Sequence, residues 1–257
     1  MRLSPFGLLD RWLCPAPDPA RAGWLRDWTF AHRGLHGDGV IENSTQAFAR
    51  AIARGMGIEC DVQRSADGQV AVFHDFSLDR LTAEQGPVAR RTLAELQAIE
   101  ISGNGGPIPS LRQLLDQIGG QVPLLIEVKT RKDTRVAAFC LAIRRVIEGY
   151  PGPLAVMSFD PRVSRWFARH SPHVLRGLVV TEEDDKALPG MIRRRLALWH
   201  GKPQFLAYDI RDLPSRFARS QQRRGLPLLT WTVRSPELAE RAAAHADAPI
   251  AEGAGVV

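Results

Sequence analysis

Residues 124–159 read LLIEVKTRKDTRVAAFCLAIRRVIEGYPGPLAVMSF, and the fold turns on them. The run 124–128 is short, apolar and β-branched in part, the pattern of a strand buried on both faces. Asp133 is placed to cap a helix whose apolar face, Val136, Phe139, Cys140, Ile143 and Ile147, recurs at helical spacing. Residues 154–159 return to a strand-like run, and Asp160-Pro161 opens the next helix by the cap-then-proline signal. Two strands joined through a helix have room for a crossover, which is the connection a parallel pair needs.

The same rhythm extends outward in both directions. Strand-like runs fall at 28–32, 58–62, 175–181, 205–208, 228–233 and 249–251. Asn43 or Ser44 opens a helix that closes near Gly55, and Ser235-Pro236 starts another. With the two central runs this makes eight strands separated by helices, which predicts a TIM-type (β/α)8 barrel. One run breaks the pattern. Residues 70–74 follow Val62 too closely for a parallel crossover, and Asp67-Gly68 between them predicts a β-hairpin. Residues 76–122 then read as a small, mostly helical insertion with two capping boxes, Thr92 with Glu95 and Ser110 with Gln113. Residues 103–109 between those boxes read as a flexible link. The expected organisation is an N-terminal extension, 1–26, and a barrel domain, 27–257.

Composition narrows the class. A chain of 257 residues, 44% hydrophobic, can bury one large core. The formal net charge of +6 comes almost wholly from arginine, and the densest clusters, Arg193-Arg194-Arg195 and Arg223-Arg224, carry no aromatic ladder. No nucleic-acid partner is expected. Cys14, Cys60 and Cys140 have neither disulfide nor zinc spacing, which fits a reducing, cytoplasmic compartment. No apolar stretch approaches the ~20 residues of a membrane span. Residues 1–26 are interrupted by Asp10, Arg11, Pro15, Pro17 and Pro19 and do not read as a signal peptide. Within residues 1–13, Phe6, Leu8, Leu9, Trp12 and Leu13 form a short amphipathic patch able to make weak contact with a membrane surface or to fold back onto the domain.

The chemistry is concentrated at strand ends. In Glu59-Cys60-Asp61 the two carboxylates project to the same face of a strand. On an inward face they would repel unless a positive group sits between them, and a hard divalent cation, Mg²⁺ or Ca²⁺, takes oxygen ligands of this kind. The competing reading is an outward, solvated pair with Ile58, Cys60 and Val62 facing the core. Glu127-Val128-Lys129 repeats the device, Glu127 completing a three-carboxylate site and Lys129 reaching an anionic substrate. A surface ion pair at a strand end is its alternative. His32 and His74 also end strands, where two imidazoles flanking a phosphate can act as base and acid. Arg33 can present a planar fork to phosphate oxygens.

Taken in order, Ala31-His32-Arg33-Gly34, Glu42-Asn43-Ser44, Ile58-Glu59-Cys60-Asp61-Val62, Asp67-Gly68, Val72-Phe73-His74-Asp75, Leu81-Thr82, Ile108-Pro109-Ser110-Leu111, Ile126-Glu127-Val128-Lys129, Ser158-Phe159 and Trp231-Thr232-Val233 resemble the glycerophosphodiester phosphodiesterase family. The resemblance implies metal-dependent hydrolysis of glycerophosphodiesters, with His32 and His74 as the acid/base pair. It implies a divalent cation held by Glu59, Asp61 and Glu127, and phosphate bound by Arg33 and Lys129. Glu42 would stand beside the site, and Trp231 would line the pocket wall. The chain departs from the family at Ser44, where threonine is usual, and at Arg234, where asparagine is usual. Glu252 stands near the place of an aspartate. Two other readings of the same residues are a phospholipase D-like enzyme acting on lysophospholipids and a non-catalytic barrel that binds phosphodiesters.

Overall fold

The computed structural model describes residues 6–183 and 186–256. It comprises two compact units, Phe30–Leu154 and, together, Met1–Thr29 with Ala155–Val257.

The first unit holds β1 (Phe30–Ala31), β2 (Gly57–Arg64), β3 (Val70–Val72), β4 (Glu100–Ile101), β5 (Gly106–Pro107) and β6 (Leu124–Val128). β1 and β6 both pair in parallel with β2, and the β2–β6 register sets Asp61 opposite Glu127. β3 returns antiparallel on β2, with Val62 opposite Val72. Gly68 takes the left-handed φ of 82° in the connecting turn, so the hairpin expected from Asp67-Gly68 forms for the reason the sequence supplies. Every residue of β2 from Gly57 to Gln63 is buried. Such a strand has no solvated face.

Helix starts in this unit follow local chemistry, with one correction. Ser44 caps the helix Thr45–Ala53, its Oγ accepting from the Ala47 N–H. Both expected capping boxes are present, at Thr92/Glu95 and Ser110/Gln113. The helix Val136–Ile147 instead starts from Arg135 without a side-chain cap, so Asp133 does not cap it. A turn intervenes, in which the Arg131 N–H donates to Thr134 Oγ1 at 2.7 Å, and this delays helix entry past Asp133. Its apolar face is buried as the spacing predicts. Between β3 and β6 lie the helices Leu93–Gln97 and Leu111–Ile118, the single 3₁₀ turn Val88–Arg90 and the antiparallel β4–β5 ladder, which occupies part of the stretch read as a flexible link. Phe73, Leu78, Val88, Leu96, Ile101 and Ile108 give this segment its own small core.

The second unit carries β7 (Leu154–Ser158), β8 (Leu175–Val180), β9 (Phe205–Asp209), β10 (Leu228–Val233) and β11 (Ala248–Ala251), each parallel to the next. Asp160 and Ser235 cap the helices Pro161–His170 and Pro236–His245, each with proline at the first helical position. Tyr208, Leu206, Phe217, Leu226 and Leu228 sit in its main core. Among the described residues eight strands run parallel with helices between them, β1, β2 and β6 to β11, as a closed (β/α)8 barrel, and β3 is an antiparallel ninth strand. All three cysteines are buried. No described helix is long and apolar enough to cross a membrane.

Candidate active site

Most of the residues singled out in the sequence lie in the Phe30–Leu154 unit, at or just beyond the C-terminal ends of its strands. Glu59 and Asp61 each expose 1% of their surface, which removes the reading of an outward, solvated pair. They project from β2 on one face while Ile58, Cys60 and Val62 are buried on the other. Glu127 joins them through the β2–β6 register, and one carboxylate oxygen from each of Glu59, Asp61 and Glu127 lies within 4.8 Å of the others. Oxygens bound to one Mg²⁺ or Ca²⁺ at about 2.1–2.5 Å can stand no farther apart than roughly that distance.

The turn after β1 supplies the first cation. Arg33 adopts φ 55°, and Gly34 follows at φ 77°. This sharp turn lets the Arg33 N–H donate to Glu59 Oε2 at 2.9 Å. Its guanidinium reaches Glu42 at 2.8 Å and Asp61 at 3.3 Å. Lys129, one residue past β6, spans Glu127 at 2.8 Å and Asp61 at 3.2 Å. Asn43, also at positive φ (54°), holds Asp61 from two directions. Its Nδ2 donates to Asp61 Oδ2 at 3.0 Å, and its Oδ1 accepts from the Asp61 N–H at 3.2 Å. Asn43 is therefore a support of Asp61 and not the helix cap.

Electrostatics separates the carboxylates. Burial, then the charges of Asp61 and Glu127, push the Glu59 carboxyl well above the usual range. Burial also opposes the charge of Asp61, yet Lys129, His74, Arg33 and His32 outweigh it and hold that carboxyl well below its ordinary value. Lys129 is raised in turn, because Asp61 and Glu127 overcome its desolvation. Glu59 Oε1 is buried and has no hydrogen-bond partner. A buried acceptor beside two further carboxylates, with no donor facing it, is where a cation fits.

His32 follows β1 directly and is buried. His74 follows the hairpin arm, and its Nδ1 lies 2.6 Å from Asp75 Oδ1. Asp75 is clamped by Arg80, whose Nε donates to Asp75 Oδ2 at 2.5 Å and whose Nη2 donates to Glu42 Oε1 at 2.6 Å. Burial works against the Glu42 carboxylate, but Arg80 and Arg33 keep it below the ordinary range. Gln63, next on the inward face of β2, donates to the main-chain carbonyls of His74 and Asp75. Arg80, Asp75 and Gln63 were not singled out from the sequence. Their one signal was adjacency, Asp75 to His74 and Arg80 to Leu81-Thr82.

Trp231 lies in the other unit, on β10. Its indole N–H donates to the Ala207 carbonyl at 3.0 Å, and Phe159 meets its ring edge-on at 5.5 Å. Arg234 pairs with Glu252 at 2.5 Å, so the two departures noted near the end of the chain hold each other.

A (β/α)8 barrel with three converging carboxylates, two imidazoles and two cations on neighbouring strand ends defines the class: barrels built around an acidic, metal-competent centre. The sequence model of the glycerophosphoryl diester phosphodiesterase family matches residues 32–255, and the chain belongs to that family. It is 27% identical over 230 residues to a glycerophosphodiester phosphodiesterase of Caldanaerobacter subterraneus subsp. tengcongensis, covering 84% of this chain and 90% of that protein. A glycerophosphodiester phosphodiesterase of Bacillus subtilis is 30% identical over 143 residues, 49% of this chain and 48% of that one. The fold is similar to that of an Oleispira antarctica phosphodiesterase solved with the product sn-glycerol-3-phosphate. That likeness has a TM-score of 0.77 at 24% identity and covers 87% of this chain and 92% of the other. A glycerophosphodiester phosphodiesterase of Thermotoga maritima gives 0.70 at 23% identity over 87% of this chain and 93% of its own.

Proposed function

We propose that the protein hydrolyses glycerophosphodiesters to glycerol phosphate and an alcohol, using a divalent cation, Mg²⁺ or Ca²⁺, and two histidines. One observation carries the reading: the oxygens of Glu59, Asp61 and Glu127 converge within 4.8 Å beside a buried Glu59 oxygen that lacks a donor. Family membership and the names of the relatives support the substrate class. The glycerol phosphate held by the Oleispira protein supports that half as the product retained.

In this reading Glu59, Asp61 and Glu127 hold the cation, which supplies Lewis-acid charge to a non-bridging phosphoryl oxygen. Arg33 and Lys129 stand beside the same carboxylates and turn toward the diester when it binds. Three carboxylates, a divalent cation, these two cations and a diester monoanion sum to zero charge, so the closed site carries no uncompensated ion. One imidazole takes a proton from the attacking oxygen, either water or the glycerol's own hydroxyl; in the second case water then opens the resulting cyclic phosphate to glycerol phosphate. The other gives a proton to the departing alkoxide as the phosphorus–oxygen bond breaks. Asp75 at His74 Nδ1 leaves Nε2 as that ring's transfer atom. Glu42 and Arg80 keep Asp75 in position. Three widely spaced, buried cysteines support a reducing, cytoplasmic setting.

The test is a panel of glycerophosphodiesters and lysophospholipids assayed with chelator and metal add-back. Hydrolysis of the free diesters that vanishes with chelator and returns with one divalent cation supports the reading. Turnover confined to lysophospholipids, or indifferent to chelator, overturns it. His32→Ala and His74→Ala should each lower kcat by about 10²–10⁴-fold while circular dichroism stays unchanged.

A further inference from the structure

Two helices of the Met1–Thr29 and Ala155–Val257 unit leave large apolar side chains in water while burying a charged one. In Gly7–Leu13 the buried residue is Asp10, 2% exposed, whereas Leu8 and Trp12 expose 77% and 78% of their surface. Those two are four residues apart and lie on the helix side opposite Asp10. Leu188–Gly201 packs Leu198, Ala197 and Trp199 against the core, yet leaves a second apolar side exposed. Arg194 is buried and paired with Glu182 at 3.3 Å, while Leu188, Ile192 and Leu196 form an exposed stripe at 66%, 51% and 54%. A helix at a protein–water boundary ordinarily turns its apolar stripe to the core and its charges outward. Two adjoining helices that leave such residues exposed present apolar surface to something other than water.

The helices are neighbours. The indole N–H of Trp199 donates to Asp10 Oδ1 at 2.8 Å, and the Arg195 guanidinium lies over the Phe6 ring at 4.2 Å from its centre. The exposed apolar residues of the two helices therefore lie on adjoining surfaces. The charged side chains that these two helices themselves expose have a single sign. Arg11 and Arg193 are exposed and Arg195 is half-buried, Leu188–Gly201 contains no acidic residue, and the one acid of Gly7–Leu13 is the buried Asp10.

We propose that this face docks the protein on an anionic bilayer surface, with Leu8, Trp12, Ile192 and Leu196 entering the headgroup boundary and Arg11, Arg193 and Arg195 meeting lipid phosphates. An interfacial helix has this composition, apolar residues with tryptophan on one side and arginine along the border. A second copy of the chain is a poorer fit, because a two-fold contact would bring together two surfaces that both carry exposed arginines and no exposed acid on these helices. Of the N-terminal patch expected from the sequence, residues 1–5 lie outside the described residues. The larger half of the face, on Leu188–Gly201, was not anticipated.

Docking needs no substrate, so its test is separate from that of the reaction. The full chain is floated with vesicles of phosphatidylcholine alone and of an equal mixture with phosphatidylglycerol, at low and high salt. Flotation with the mixed vesicles, weakened by salt, is the expected result. The pairs Leu8→Ser/Trp12→Ser and Ile192→Ser/Leu196→Ser should each cut the bound fraction by about tenfold or more, leaving hydrolysis of a soluble diester unchanged. No flotation of the wild type, equal flotation with both vesicle types, or serine pairs that float like the wild type would each overturn the proposal. So would a wild-type dimer that does not float and that the serine pairs convert to monomer, which would make the face a contact between copies.

Discussion

Arg33 and Gly34 show how much one turn decides. Arg33 sits in the left-handed region at φ 55° so that its N–H meets Glu59 while its side chain reaches Glu42 and Asp61. A non-glycine residue held there costs about 1–2 kcal/mol, and these contacts offset it. Gly34 has no such latitude, because a Cβ on it would stand 2.8 Å from the Ala47 Cβ and 2.9 Å from the Ala47 carbonyl carbon. Gly34→Ala is expected to lose about 2–4 kcal/mol of stability, from left-handed strain plus overpacking, as read by urea unfolding. The Asp75 carboxylate acts through His74, and its replacement should show in kcat. Asp75→Asn keeps the shape but weakens the hold on Nδ1, and about a 10–100-fold loss in kcat is expected, with an altered pH–rate profile and little change in KM. Unchanged kinetics would remove Asp75 from the acid/base unit. His32, Arg33, Glu59, Asp61, His74, Glu127 and Lys129 were all legible as residue types at strand ends. Arg80 was not, because its role arises from folding a loop over Glu42 and Asp75, a contact 38 positions apart in the chain.

At the scale of the element, β2 explains both the site and its cost. A strand buried on both faces is normally an unbroken apolar run, and β2 carries Glu59, Asp61 and Gln63 within it. Periodicity could not say which side of such a strand the acids take, since Ile58, Cys60 and Val62 alternate with them equally well. The β2–β6 register settled it by setting Asp61 opposite Glu127. Without a cation, Glu59 Oε1 is a buried polar atom lacking a partner, a state that costs about 1–3 kcal/mol. In chelator, Glu59→Gln is therefore expected to be more stable than the wild type by about that amount, measured by denaturant unfolding, although it should lose activity. A less stable variant would mean that Glu59 is held by something other than a cation. Helix starts were mostly legible, at Ser44, Thr92, Ser110, Asp160 and Ser235, because a cap needs only neighbours in sequence. Asp133 failed as a cap because the Arg131–Thr134 turn takes the chain past it first.

For the whole molecule, a ligand that binds only the folded chain stabilises it by mass action, by about 2.7 kcal/mol at a hundred times its Kd. The cation site is assembled from strand ends far apart in sequence and does not exist in the unfolded chain. Thermal unfolding should therefore shift upward with added Mg²⁺ or Ca²⁺ and return with chelator. The triple variant Glu59→Gln/Asp61→Asn/Glu127→Gln should show no shift. A shift that survives in the triple variant would place the bound cation elsewhere.

By itself the sequence determined the alternation of strands and helices, the hairpin at Asp67-Gly68, the barrel class and which residue types crowd the strand ends. Each of these rests on periodicity or on a cap, which are properties of neighbouring residues. Only the tertiary structure decided that Glu59 and Asp61 face inward, that Asn43 braces Asp61, that Arg80 ties Asp75 to Glu42, and that two helices leave large apolar side chains exposed. Those depend on which distant segments pack together, and a pattern of period two or 3.6 carries no information about what lies across from it.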